Sequence, residues 1–352
     1  MLRGAEFLLL RLMIQPVRIN PPGKAGYRRC ASVSIITAMH RYCPILPTLL
    51  ALLTCAASFA ADNPATGEPE VGISGQTLAG RALREPGWQP ATRARLQKDL
   101  DIAKAVFAAA PEREDSWIWL GRRYGYLGQF DDAIAVFNVG LERFPASYKL
   151  HRFRGRHRAR NRDFAGAIAD YRNGLEKMQG IADSFEPDGI PNARRLTIST
   201  YRSNLHYYLG QTSFATGDYA AMLEHLDESL RSPIALDIDD HRIAVAFWKY
   251  LALRKLDRDA EASRLLQALP AEPNLIENET YFAAVQVFES GADLPDSADS
   301  LARFAAGMDA IHAGAAERGQ SVLQDVVDRN ALGYWPAEAE LRRLRAESND
   351  AL

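Results

Sequence analysis

Apolar and polar residues follow one another along most of this chain with the 3.6-residue beat of amphipathic helices. Between Thr92 and Ala110, Leu96, Leu100, Ile102, Ala103, Val106 and Phe107 recur at helical spacing and stop at Pro111, which predicts a lone capping helix over 92–110. From Trp117 onward the beat acquires a longer period. Trp117, Leu120, Gly121, Tyr124, Ala133, Phe137 and Pro145 define a first unit, and a shift of 34 residues carries Gly121 to Gly155, Phe130 to Phe164, Ala133 to Ala167, Phe137 to Tyr171, Gly140 to Gly174 and Leu141 to Leu175. Small and large residues thus recur together. The small ones let two helices cross closely, and the large ones fill the space between them. His151 and Arg154 replace the Trp and Leu of the first unit, so the second should pack less well along its first helix.

A third unit carries Leu209-Gly210, Gly217, Tyr219, Leu226 and Leu230; a fourth runs from Phe247 to Leu256 and from Ala260 to Leu269, ending at Pro270. Units are therefore expected at 114–147, 148–181, 203–236 and 243–272. A degenerate helical part follows over 276–348, with amphipathic stretches at Tyr281–Phe288, Leu301–His312, Ala316–Val327 and Pro336–Arg345. Asn278-Glu279-Thr280 matches a glycan acceptor but reads better as a helix start. A Pro- and Gly-rich insertion over 179–200 interrupts the array where only a tight turn is needed, and insertions of that length are often functional. Scattered Gly and Pro make 61–90 a flexible tether.

The spacing W-x2-L-G-x2-Y, A-x3-F, P resembles the tetratricopeptide repeat. The runs Asp115 to Arg123 and Pro187 to Arg194 are similar to exported bacterial members of that family. The resemblance implies an all-α solenoid of stacked helical hairpins. It further implies that the first helix of each hairpin lines a concave face that holds peptides or partner segments. A single hairpin cannot bury its apolar face alone, so neighbours must stack into a continuous core.

Composition changes this picture at one end. The 352 residues are 47% hydrophobic and 24% charged with a net charge of −2, yet the first 60 carry seven Lys or Arg and one Glu; without them 35 basic residues face 43 acidic ones, a net of −8. Met39-His40-Arg41, the apolar run Ile45 to Leu53 and Ser58-Phe59-Ala60 read as a signal peptide beginning at Met39, inside a leader over 1–60. An exported, periplasmic protein without a membrane span in its mature form is expected. Cys30, Cys43 and Cys55 all fall in the leader, leaving no cysteine for disulfides. A lipid anchor on Cys55 is the weaker reading, because Thr54 stands where a smaller residue is preferred.

The first helix of the second unit is dense in arginine. Lys149, Arg152, Arg156 and Arg160 are spaced by three, four and four and share one stripe. By the family's geometry that stripe faces the groove, with Arg122 and Tyr126 beside it on the first unit and Asn204, Tyr207 and Gln211 on the third. Guanidinium forks suit carboxylates and tyrosine adds flat amphipathic contact, so an acidic peptide or the C-terminus of another protein is the expected partner. A charge run is also a common solvated face. Export and the net of −8 argue against nucleic acid.

No H-E-x-x-H, P-loop or G-x-S-x-G sequence is present, and no catalytic residue, metal or cofactor is expected. Asp237, Asp239, Asp240 and His241 are the densest ligand group, but the glycine turn and distal Glu of a calcium loop are missing, and a helix cap near Arg242 explains them. His151 and His157 stand six apart, and His206 and His225 look isolated. The competing readings are an envelope hydrolase or sugar-processing enzyme using the 179–200 insertion with the Asp237 to His241 group, and a purely structural subunit.

Overall fold

The glycine and large-residue periodicity becomes a set of crossings between paired helices. In the computed structural model, which describes residues 72–231, 237–290, 294 and 298–350, thirteen helices follow one another among the described residues. A lone helix α1 (Pro90–Ala109) precedes hairpins α2 (Glu114–Tyr126) with α3 (Phe130–Arg143), α4 (Tyr148–Arg160) with α5 (Phe164–Lys177), α6 (Tyr201–Thr216) with α7 (Tyr219–Ser229), and α8 (Asp240–Lys255) with α9 (Asp259–Gln267). Then come α10 (Glu279–Ser290), α11 (Ser300–His312), α12 (Ala316–Arg329) and α13 (Trp335–Asp350). The expected leader over 1–60, with the signal peptide read there, and Cys55 lie outside the described residues. No described helix is long and apolar enough to cross a membrane.

Every hairpin but that of α8 with α9, which has no glycine, is held by the same contact. A Cβ on Gly121 would lie 2.4 Å from the Phe137 ring; on Gly155, 2.7 Å from Tyr171; on Gly210, 3.0 Å from Leu226; and on Gly307, 2.7 Å from Leu323. In every case the large residue stands sixteen positions after the glycine. The last pair shows that α11 and α12 form a full hairpin of the same type, in the part read as degenerate. Helix starts are fixed locally, with the side chains of Ser147, Asp163, Thr200 and Asp218 each accepting from a backbone N–H three residues on. The result is an all-α, tetratricopeptide-type stack with its core centred on Trp248, Phe247, Phe214 and Phe304.

The stack closes on itself instead of ending as an open rod. α13 turns back so that Trp335 stacks on Trp248 at 6.3 Å and packs on Phe164 at 5.5 Å. Arg162, in the left-handed region (φ 67°) just past α4, donates to both oxygens of Glu338 at 2.5 and 3.0 Å, and that carboxylate also accepts from the Leu78 N–H at 2.8 Å. Residues 72–89 were expected in a tether. They are instead fastened to the turn before α13, where Arg81 donates to the carbonyls of Val327 (2.8 Å) and Asn330 (2.9 Å), and the Arg84 N–H donates to that of Ala331. The Gly and Pro of this stretch shape a fitted loop, with Gly75 and Gly80 at positive φ.

Candidate functional site

The arginine row of α4 points into the space that this closure encloses, a cavity of about 680 Å³. Arg152, Arg156 and Arg160 line it, joined by Arg122 and Tyr126 of α2 and by Asn204, Tyr207 and Gln211 of α6. Lys149 does not. It sits in the first turn of α4 beside the first turn of α2, where its ammonium reaches Glu114 at 3.4 Å and lies over the rings of Tyr148 and Tyr201. The three-four-four spacing put it on the right stripe, but the stripe leaves the cavity at its N-terminal end.

The cavity arginines differ in how far the protein itself neutralises them. Arg152, only 1% exposed, donates to Glu186 at 2.8 Å. Arg122 is sandwiched between Trp119 and Phe153, 4.4 Å from each ring, and donates to the Pro187 carbonyl at 2.9 Å and to the Tyr126 hydroxyl at 3.3 Å. Arg156 lies 5.6 Å from the Tyr208 ring and Arg160 5.9 Å from that of Phe130; neither has a carboxylate partner among the described residues. Burial, with Arg156 beside it, pulls Arg160 down to about 10. Burial pushes the Tyr208 phenol up, but Arg156 and Arg152 outweigh it and hold the group below its ordinary value. Several buried donors are unpartnered: Nε and one terminal nitrogen of Arg152, Nε of Arg122, and the Tyr171 hydroxyl.

The 179–200 insertion supplies part of the cavity wall. Phe185 and Thr200 close its base as an antiparallel bridge, and the Glu186 N–H donates to Ser199 O at 2.9 Å. Beyond it Glu186, Asp188 and Gly189 lie against α2 and α4, with the Gly189 carbonyl accepting from Arg123 at 2.9 Å. A Cβ on Gly189 would fall 1.4 Å from the Tyr126 oxygen, so only glycine passes there. Asn204 is tied to this insertion through Ser199 Oγ at 2.9 Å. The opposite wall is an aromatic network in which Tyr207 donates to the Tyr281 hydroxyl at 2.9 Å and Trp248 Nε1 lies 3.2 Å from both oxygens. Sequence reasoning missed Glu186, Tyr171, Tyr208, Trp248 and Tyr281. Two left a signal, Tyr171 as the hydroxyl-bearing counterpart of Phe137 and Glu186 as part of the 179–200 insertion.

The Asp237 to His241 group is spent on structure, though not as the expected cap of α8. Asp239, at the cap position, makes no side-chain cap bond to that helix. The fully buried carboxylate of Asp240 accepts from the backbone N–H groups of Ile276 (2.9 Å), Glu277 (2.8 Å) and Asn278 (3.0 Å), clamping the segment that leads into α10. Asp239 accepts from the Asn274 N–H at 3.0 Å. His241 lies 3.1 Å from the hydroxyls of Ser203 and Ser229, and burial pulls it down to about 4. His206 and His225, which looked isolated in sequence, meet across α6 and α7 with Nδ1 atoms 3.3 Å apart. Among the described residues no group of three or more His, Cys, Asp or Glu could hold a metal ion.

No family model matches this protein, and no curated protein matches it. Among solved structures it is similar to MamA (13% identity, TM-score 0.37, covering 58% of this chain and 90% of that one). It is similar also to YrrB, a TPR protein with an unusual peptide-binding site (13%, 0.37, 68% and 97%), and to the APC/C hetero-tetramer Cut9–Hcn1 (13%, 0.43, 71% and 40%).

Proposed function

We propose that the protein is an exported interaction module that draws an acidic segment of a partner protein into the cavity between α2, α4 and α6. The observation carrying this reading is that Arg156 and Arg160 share the cavity while neither has a carboxylate partner among the described residues. Guanidinium groups one helical turn apart repel, and removal from bulk water makes an unpaired charge costly. An acidic segment offsets both. Tyr126, Tyr207 and Gln211 would contact its uncharged parts, and export rests on the leader read at 1–60. A partner protein is favoured over nucleic acid because the protein without its leader carries a net of −8, which repels a long polyanion more strongly than a short acidic segment.

The test is capture of a fluorescent Asp- and Glu-rich peptide by the purified protein, followed by anisotropy. Replacing Arg156 and Arg160 together with Glu should lower affinity at least about tenfold, the loss of one charged hydrogen bond, while the helical circular dichroism stays that of the parent. Arg152 is the wrong residue to change, since its loss leaves Glu186 buried without a partner. Equal binding by parent and double variant would refute the reading.

A further inference from the structure

We infer that the arginine wall of the cavity is shaped for a doubly charged tetrahedral oxyanion, a phosphoryl group carried by the ligand; this rests on the reading of the cavity as the binding site and names the chemistry of its anchor. Charge is the first argument. Arg152 is offset by Glu186 and Arg162 by Glu338, and Arg122 faces Asp188, whose carboxyl burial raises and Arg122 lowers. Two guanidinium charges, on Arg156 and Arg160, are left without an ion-pair partner, since the remaining lining carboxylate, Glu277, accepts from Asn192 of the insertion. A single carboxylate would neutralise one of them, whereas a phosphomonoester carries about −1.5 to −2 at neutral pH.

Geometry is the second argument. The donors come from two helices and surround a ring on a third: Arg152 and Arg156 of α4 lie 4.2 and 5.6 Å from the centre of Tyr208 on α6, and the ring of Tyr171 on α5 is 6.3 Å from it. Arg152 and Tyr171 are almost wholly buried, line the cavity, and keep unpartnered N–H and O–H groups. A planar carboxylate presents its acceptor directions in one plane. A phosphoryl group presents three oxygens in different directions, which matches donors approaching from separate helices. Size is the third. About 680 Å³ is far more than an ion occupies, so the phosphoryl group anchors a larger body, which the aromatic wall of Tyr207, Trp248 and Tyr281 receives. Glu277 on the cavity lining keeps the anion at the arginine end.

The experiment is calorimetric titration of the purified full-length protein with inorganic phosphate, phenyl phosphate, benzoate and an Asp- and Glu-rich peptide. Phenyl phosphate should bind at least about tenfold more tightly than benzoate, and Arg156→Gln or Arg160→Gln should each remove about tenfold of that affinity. Binding should weaken as pH falls below about 6, where the phosphoryl group loses its second charge. Inorganic phosphate binding as tightly as phenyl phosphate would support the oxyanion site and overturn the larger body. If the acidic peptide binds in an Arg156-dependent way while neither phosphate binds or competes, the phosphoryl assignment falls and the cavity reading stands. If no probe binds, both fall.

Discussion

On one side of α4, Arg154 and Arg158 converge with His151 on Asp170, at 2.6, 3.0 and 2.8 Å, around a carboxylate only 1% exposed. On the other side, Arg152, Arg156 and Arg160 face a cavity where one carboxylate, Glu186, pairs with the first of them. The residue type, helix and spacing are shared; what differs is whether the neighbouring helix offers an acid. α5 does so at Asp170, and that face becomes an internal fastening. The cavity face receives its acid from the insertion, in smaller number than its cations. A local run of arginine therefore does not by itself reveal a binding surface. The number of carboxylates returned by the rest of the fold does.

The largest way to break this contrast is Asp170→Asn. It leaves two guanidinium groups and an imidazole around an uncharged amide, and should cost about 3 kcal/mol, at the lower edge of what removing one partner of a buried ion pair does; urea unfolding measures it. A loss under about 1 kcal/mol would mean that this face is solvated like any other. Burial pushes the Asp170 carboxyl up, but hydrogen bonds from His151 and Arg154 with the charges of Arg154 and Arg158 hold it below its ordinary value. Its folded value thus lies below the unfolded one. Its contribution is complete above about pH 4 and is lost as pH falls through the folded value, so the parent should weaken in acid more steeply than the variant.

A middling effect is expected from Glu186→Gln, which leaves Arg152 with a neutral acceptor. About 2 kcal/mol of stability should go, read from the same unfolding curves, and the insertion should become easier to cleave by protease. Protection equal to the parent's would show that the insertion is held by its backbone bonds to Arg122 and Arg123 alone. The smallest effect belongs to Arg156→Gln with Arg160→Gln. Removing two charges without protein partners should change stability by no more than about 0.5 kcal/mol, upward if anything, since like charges one turn apart repel. A fall of about 2 kcal/mol or more would erase the distinction between the two faces.

Periodicity made much of the stack readable because its key contact is local. Gly121 with Phe137, Gly155 with Tyr171 and Gly210 with Leu226 repeat at a fixed interval, so a reader of the sequence meets the same crossing three times. The crossing of Gly307 with Leu323 obeys the same interval but lacks the flanking Trp and Tyr, and so looked degenerate. The cavity was legible only where helical spacing decides it, along Arg152, Arg156 and Arg160. Lys149 obeyed the spacing and left the site because Glu114, on another hairpin, lay within reach. Glu186, Tyr281 and Trp335 come from distant stretches, and no local rule couples them to α4. Asp240 carries the same lesson, since its partners at 276–278 belong to a segment 36 to 38 residues further on.

The bond between Arg162 and Glu338 makes the two halves of the molecule interdependent. In an open array each unit leans only on its neighbours, so ends can fray while the middle persists. Here α13 rests on the second hairpin across a sequence gap of 176 residues, and the same carboxylate holds the loop at 72–89. Loss of either α13 or the 72–89 loop from the stack must release this clasp, so melting becomes a single cooperative event, and folding is slowed by the wait for that distant contact. A protein shortened before Glu338 would keep its arginines but lose the room they face.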